Sequence, residues 1–166
     1  MKFDIWTDGG CSGNPGPGGW AFIITDLHGK IISEGKGGER ETTNNRMELL
    51  AVIKSLRCIS KKELAVDRIT IHTDSQYVEK GMTEWIIRWK ANGWKASDRK
   101  PVRNMDLWLK LDKLASELPI TWQWVESHAG IPLNERCDDM THEAIEKLLS
   151  RPPRVKPTPL STDVIQ

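Results

Sequence analysis

The sequence predicts an α/β domain on a five-stranded mixed sheet, three antiparallel strands and then parallel ones, with helices on both faces. Three observations lead there. Three short β-runs follow one another near the amino terminus, an amphipathic helix separates them from a fourth, and helices alternate with a fifth run after that. Consecutive runs with short links form a meander, while a strand, helix, strand connection is right-handed and returns a parallel neighbour.

Phe3 to Asp8 is the first run, rich in aromatic and β-branched residues, and it stops on an acid. Glycines and prolines crowd residues 9–19, which predicts a tight, irregular turn. Trp20–Thr25 is a second strand, Asp26–Gly29 a hairpin turn and Lys30–Glu34 a third strand. Good capping residues fill Thr42–Asn45, and Leu49, Val52, Ile53 and Leu56 recur at helical spacing, so a helix opens there and ends near Ser60. Arg68–Thr73 is a fourth strand, again followed by an acid, Asp74. Ser75–Gly81 and Thr83–Ala91 read as short helices, Asn104–Leu118 as a longer one, Thr121–Val125 as the fifth strand and Asn134–Leu149 as the closing helix. Residues 1–150 thus make one domain. Residues 151–166 hold four of the nine prolines and are expected to form a disordered or extended tail.

The chain has 166 residues, enough to bury a core without staples and too few for a second full domain. With 24 Lys and Arg against 23 Asp and Glu the net charge is +1, so bulk charge points to no class of partner. Three widely spaced cysteines, Cys11, Cys58 and Cys137, suit reduced thiols better than disulfides. Neither a basic-then-apolar leader nor a long apolar run is present, so the cytoplasm is the expected location and no membrane is involved.

Four acids stand where the chemistry of an open α/β sheet collects, at strand carboxyl ends and on the helices packed beside them: Asp8, Glu48, Asp74 and Asp138. Each also has a local reading. Asp8 could open a glycine turn, and Glu48, three residues after Asn45, has capping-box spacing. Asp74 could cap a helix, and Asp138, in the first turn of the last helix, would complement its dipole. Gathered at ~4 Å with an effective dielectric of ~20, each pair would repel by ~4 kcal/mol. A fold tolerates that only with cations between the acids, and all-oxygen donors suit Mg²⁺ or Mn²⁺. Two such ions can activate a water and stabilise the leaving oxygen of a phosphodiester.

Five blocks carry a family resemblance: Thr7–Gly10 with Gly13–Gly19, Thr42–Glu48, Thr73–Val78, Trp124–Gly130 and Asn134–Asp138. In order and in content they resemble type 1 ribonuclease H of the bacterial kind, from residue 3 to about 147. The resemblance implies the ribonuclease H-like fold and a nuclease that cuts the RNA strand of RNA/DNA hybrids with two Mg²⁺ ions, leaving 3′-hydroxyl and 5′-phosphate ends. It places Asp8, Glu48, Asp74 and Asp138 on the metal-binding acids and His128 on a mobile-loop histidine that shuttles protons or assists product release. Ser127 stands where the family usually has Gly, and Met140–Thr141 where it has Leu-Ala, a change expected to alter packing only.

The glycine-rich segment is no mononucleotide cradle, because Pro15 and Pro17 remove donors, no Lys follows and the next element is a strand. Its glycines are expected instead to let a nucleic-acid backbone come close. Telling RNA from DNA needs partners for the 2′-hydroxyl, and the amides of Asn14, Asn44, Asn45 and Gln76 flank the acids. By resemblance these reach the minor groove, with Thr43 near a DNA phosphate; Cys11 and Asn104 join the substrate-binding set on the same ground. Between Trp85 and Asn104, Arg88, Lys90, Lys95, Arg99, Lys100 and Arg103 face one acid, Asp98, with Trp85, Trp89 and Trp94 interleaved. This basic stretch suits phosphate contacts and resembles the family's protrusion over the DNA strand. A monomer is expected.

Overall fold

A computed structural model describes residues 1–152. The predicted tail therefore lies almost wholly outside the described residues.

The sheet has five strands in the order β3-β2-β1-β4-β5. β1 (Lys2–Cys11), β2 (Gly16–Thr25) and β3 (Ile31–Thr42) are antiparallel, while β4 (Arg68–Thr73) and β5 (Ile120–Trp124) run parallel to β1. The crossovers are α1 (Asn44–Lys61), between β3 and β4, and the helical run before β5: α2 (Gln76–Lys80), α3 (Ile86–Asn92) and α4 (Met105–Ser116). α5 (Pro132–Leu149) closes the chain.

Alternation along β1 divides the core. Phe3 and Ile5 point with Ile69 and Ile71 toward Leu49, Val52, Ile53 and Leu56 of α1 and Trp108 and Leu111 of α4. Trp6 points the other way, with Ala21 and Ile23, toward Cys137 and Met140 of α5. Period-2 strands and 3.6-period helices thus put helices on both faces, as predicted.

The hairpin differs from the predicted turn. β1 continues through Gly9, Gly10 and Cys11, which pair with Trp20, Gly19 and Gly18, so most of the glycine run is sheet. β3 likewise runs on to Thr42, past the predicted Glu34. The glycines serve protein packing. A Cβ on Gly9 would strike the Met47–Glu48 peptide, and one on Gly19 would come 2.7 Å from the Thr141 carbonyl oxygen, so α1 and α5 press onto the sheet at these points. The space assigned from sequence to a nucleic-acid backbone is filled by helices at Gly9 and Gly19.

The two predicted short helices are joined by a π-helical turn, Gly81–Trp85, whose first residue lies against the Trp108 indole. No room exists there for a side chain. All three cysteines are free thiols. Among the described residues no helix is long and apolar enough to cross a membrane.

Candidate active site

Thr7 of β1 lies opposite Thr73 of β4 in the parallel register, so Asp8, still in β1 and paired with Ala21 of β2, and Asp74, the first residue past β4, come next to each other where the β1–β4 ladder ends. Glu48 arrives from the first turns of α1, brought in by the contact at Gly9. Asp138 arrives from α5 on the other face, and Asp8 and Asp138 line one cavity of about 390 Å³.

The local readings of three acids do not survive. Thr43, not Asn45, caps α1: its hydroxyl accepts the Arg46 N–H at 3.3 Å, so Glu48 is outside capping-box spacing. Ser75, not Asp74, caps α2 by accepting the Val78 N–H at 3.1 Å. Asp138 is beyond the first turn of α5, which starts at Pro132. None of these carboxylates is explained by helix ends.

No lysine or arginine pairs with any of the four acids among the described residues; the nearest basic groups are histidines, His142 Nε2 at 3.5 Å from Asp138 Oδ1 and His128 near Asp74. Asp8 is only 8% exposed. Burial, then Asp74, with further push from Glu48 and Asp138, raises its carboxyl to about 8, opposed only by the Thr141 hydroxyl. That hydroxyl has one proton and gives it to the Cys137 carbonyl at 2.9 Å, so its help to Asp8 requires a rotation. Thr141 is therefore an active-site neighbour and not packing alone. Burial and Asp74 raise Glu48 to about 7, against a hydrogen bond from Ser75. Asp74 is raised as well, chiefly by burial, with Asn134 and His128 pulling it back.

The acids form an open rim and not the tight cluster expected. Among the described residues no three acid, histidine or cysteine side chains converge enough to enclose an ion by themselves. Like charges stay apart, and an ion such as Mg²⁺ takes one or two carboxylates and completes its octahedron with water and substrate oxygens. The donor set, all oxygen and short of positive charge, fits such an ion.

Sequence reasoning missed Asn134. It is 3% exposed, and its amide nitrogen lies 3.4 Å from Asp74 Oδ2. The only signal was its place in the Asn134–Asp138 block. His128 is exposed, has a left-handed backbone with φ 57°, and is close enough to Asp74 for attraction.

The amide residues are held with their donors outward. Asn44 Oδ1 accepts the Cys11 N–H at 2.8 Å, and Asn14 Oδ1 accepts the Asn44 N–H at 3.2 Å, which leaves both NH₂ groups for a ligand. Asn45 and Gln76 are exposed. Asn14, Thr43, Asn45, Arg103 and Asn104 line a second cavity of about 350 Å³. Arg46, also missed, stands beside it: it is locked by both carboxylate oxygens of Asp106 at 3.0 and 2.9 Å, and it reaches Asn104 Oδ1 at 3.3 Å. Asn104 gives its own amide proton to the Tyr77 hydroxyl at 3.1 Å.

The basic stretch is mounted on aromatic rings. Trp89 packs against Trp85, Trp94 and Trp108 with centroids 6.0, 5.9 and 5.2 Å away, which leaves Trp85 half-buried. Arg88, Lys95, Arg99 and Lys100 stand exposed, while Lys90 pairs with Asp112 at 2.9 Å.

An open carboxylate rim at the edge of a mixed sheet, flanked by outward amides and by a cationic arm that shares a cavity with them, defines a metal-dependent hydrolase of nucleic-acid backbones. The comparisons make that class specific. The RNase H family model matches residues 2–146, and the chain belongs to that family. It is 48% identical over 160 residues to a ribonuclease H of Treponema denticola, covering 90% of this chain and all of that one. It is 53% identical over 148 residues to a ribonuclease H of Paramagnetospirillum magneticum, covering 89% and 92%. Among solved structures it is similar to LC9-RNase H1, a type 1 RNase H with the type 2 active-site motif (TM-score 0.78, 31% identity, 88% of this chain and 72% of that one). It is also similar to LC11-RNase H1 in complex with an RNA/DNA hybrid (TM-score 0.68, 28% identity, 89% and 99%).

Proposed function

We propose that residues 1–150 are a single catalytic domain, acting as a cytoplasmic monomer, that hydrolyses the RNA strand of RNA/DNA hybrids internally and leaves 3′-hydroxyl and 5′-phosphate ends. The observation that carries this is Asp8: a buried carboxyl pushed to about 8 beside Asp74, Glu48 and Asp138, with no cationic side chain paired to it among the described residues. Asp8, Glu48, Asp74 and Asp138 would hold two Mg²⁺ ions, which when bound supply an activated water and charge neutralisation at the leaving oxygen.

The remaining residues orient and grip. Asn134 holds the Asp74 carboxylate from beneath. His128, on an exposed loop beside Asp74, carries a proton to the departing 3′-oxygen or eases the product out. The amides of Asn14, Asn44, Asn45 and Gln76 read the 2′-hydroxyls, with Cys11 lying beside them in the cavity that holds Asp8. Thr43, Asn104 and the arm from Trp85 through Arg88, Lys90, Lys95, Arg99 and Lys100 bind the DNA strand.

A labelled hybrid incubated with Mg²⁺, with Mn²⁺ and with EDTA, next to duplex DNA of the same sequence, tests the reading. Cutting of RNA in the hybrid alone, lost with the metal, is expected. Undiminished cutting in EDTA, or equal cutting of duplex DNA, rejects it. A hybrid-binding module without catalysis is the rival reading, and Asp8→Asn separates the two by ending cleavage while sparing binding.

A further inference from the structure

We propose that Lys36, Arg40, Lys147 and Arg151 form a second phosphate-binding surface, which holds the hybrid backbone on the α5 side of the catalytic acids. This rests on the reading of the chain as a hybrid nuclease.

Lys36, Lys147 and Arg151 line one cleft between β3 and the end of α5, and Arg40 joins it through Arg151. On the edge strand β3, Lys36 and Arg40 face α5: Lys36 Nζ reaches Glu143 at 2.6 Å, and Arg40 donates to the Arg151 carbonyl at 2.7 Å. Between Gly37 and Gly38 of β3 and Lys147, Leu148 and Arg151 at the end of α5 lies a cavity of about 210 Å³. Glu143 answers Lys36. Arg40, Lys147 and Arg151 have no carboxylate within ion-pair distance among the described residues.

The field of α5 favours a cation in its last turn, which accounts for Lys147. It does not account for Arg40, which the neighbouring strand supplies without a carboxylate partner among the described residues, next to Lys36 and its Glu143. Unpaired like charges gathered on a nearly neutral protein are explained by an anionic ligand, and the ligand of this protein is a polyanion.

Position supports the same ligand. The basic arm between α3 and α4 packs with the α1 side of the sheet, and this cleft lies on the α5 side, on the flank of α5 that faces β3, while the neighbouring flank of the same helix lines the cavity that holds Asp8 and Asp138. A duplex laid across the rim meets one cationic surface on each side. At 1.5 Å rise per residue, Lys147 stands ~14 Å along α5 from Asp138, on another flank of the helix, and Arg151 follows just past the helix end. At 3.4 Å per base pair, a phosphate held there is about four base pairs or more from the scissile bond.

The test compares wild type with the Lys147→Gln/Arg151→Gln double variant on three hybrids with one cleavable site. One extends about ten base pairs on both sides, and the others are cut back to about three on one side or the other. The expected result is a 3- to 10-fold higher KM on the long hybrid with kcat unchanged, a shallower salt dependence of KM, and no difference on one of the two truncated hybrids. The charge-keeping Lys147→Arg/Arg151→Lys variant should restore the wild-type KM. An unchanged KM on the long hybrid, an equal defect on all three, or failure of the charge-keeping pair to rescue would each overturn the proposal. Wild-type enzyme that leaves every hybrid intact would instead overturn the proposed function.

Discussion

Gly9 and Glu48 touch through their backbones: a Cβ on Gly9 would collide with the peptide between Met47 and Glu48. The absence of a side chain on β1 is what lets the first turns of α1 lie against the strand, and so what sets how near Glu48 comes to Asp8. Gly9→Ala must push α1 outward, because the obstacle is main chain and cannot rotate away. Overpacking of this kind costs ~1–3 kcal/mol. Thermal unfolding should show that loss together with a fall in kcat that added metal does not recover; a variant with normal stability and normal kcat would refute the spacer role.

The raised carboxyls make stability depend on pH. Asp8 and Glu48 sit at about 8 and about 7 in the folded protein, while an unfolded chain releases their protons near pH 4. Between those values the folded state binds more protons than the unfolded state, so their stabilising effect is complete below about pH 4 and is lost as pH rises toward 8. Each group can contribute a slope of up to ~1.4 kcal/mol per pH unit. Urea unfolding in EDTA between pH 5 and 8 should give falling stability, with a flatter line for Asp8→Asn. Divalent metal must displace these protons, so its stabilising effect should be larger at pH 8 than at pH 6. Parallel lines for the two proteins would count against the assignment.

Much of this was legible in the residues because the signals were local. Strand ends marked by Asp8 and Asp74, the cap-rich start of α1 and the strand, helix, strand order fix the sheet and put two acids side by side. The glycine run misled because glycine permits turns and close packing alike. Only the three-dimensional neighbours of Gly9, Gly18 and Gly19 tell which was used. Asn134 and Arg46 were silent for a different reason. Their partners, Asp74 and Asp106, are each 60 residues away in sequence, and an amide or guanidinium announces nothing until its acceptor is placed. Trp108 was one more apolar helix residue in sequence, yet its indole proton goes to the Tyr77 hydroxyl at 3.0 Å, the same oxygen that takes the Asn104 amide.

Removing the amide beneath Asp74 should act on chemistry and not on binding. The Asn134 hydrogen bond holds the Asp74 carboxyl below where burial alone would put it. Asn134→Ala should therefore raise that carboxyl further, shift the acidic limb of the pH–rate profile upward and lower kcat by an order of magnitude or more, with KM for hybrid little changed. Asn134→Asp should be worse, since it sets another carboxylate against Asp74 in a buried place. A pH profile identical to wild type would show that Asn134 only packs.

Arg46 gives the complementary case, binding without chemistry. Asp106 holds its guanidinium by both oxygens, and the pair sits beside the cavity lined by Asn14, Thr43, Asn45 and Asn104. A fork fixed in this way can offer its remaining N–H groups to a phosphate at little entropic cost. Arg46 lies on the surface side of α1, away from the four acids, so its loss should leave the rim intact. Arg46→Gln is expected to raise KM several-fold at moderate salt, keep kcat within about twofold, and reduce the slope of log KM against log salt by about one, the signature of one lost phosphate contact. Asp106→Asn should produce a smaller rise in KM, because the guanidinium survives but is no longer held. If Arg46→Gln lowers kcat with KM unchanged, the residue acts on the acids and its assignment to a backbone phosphate fails.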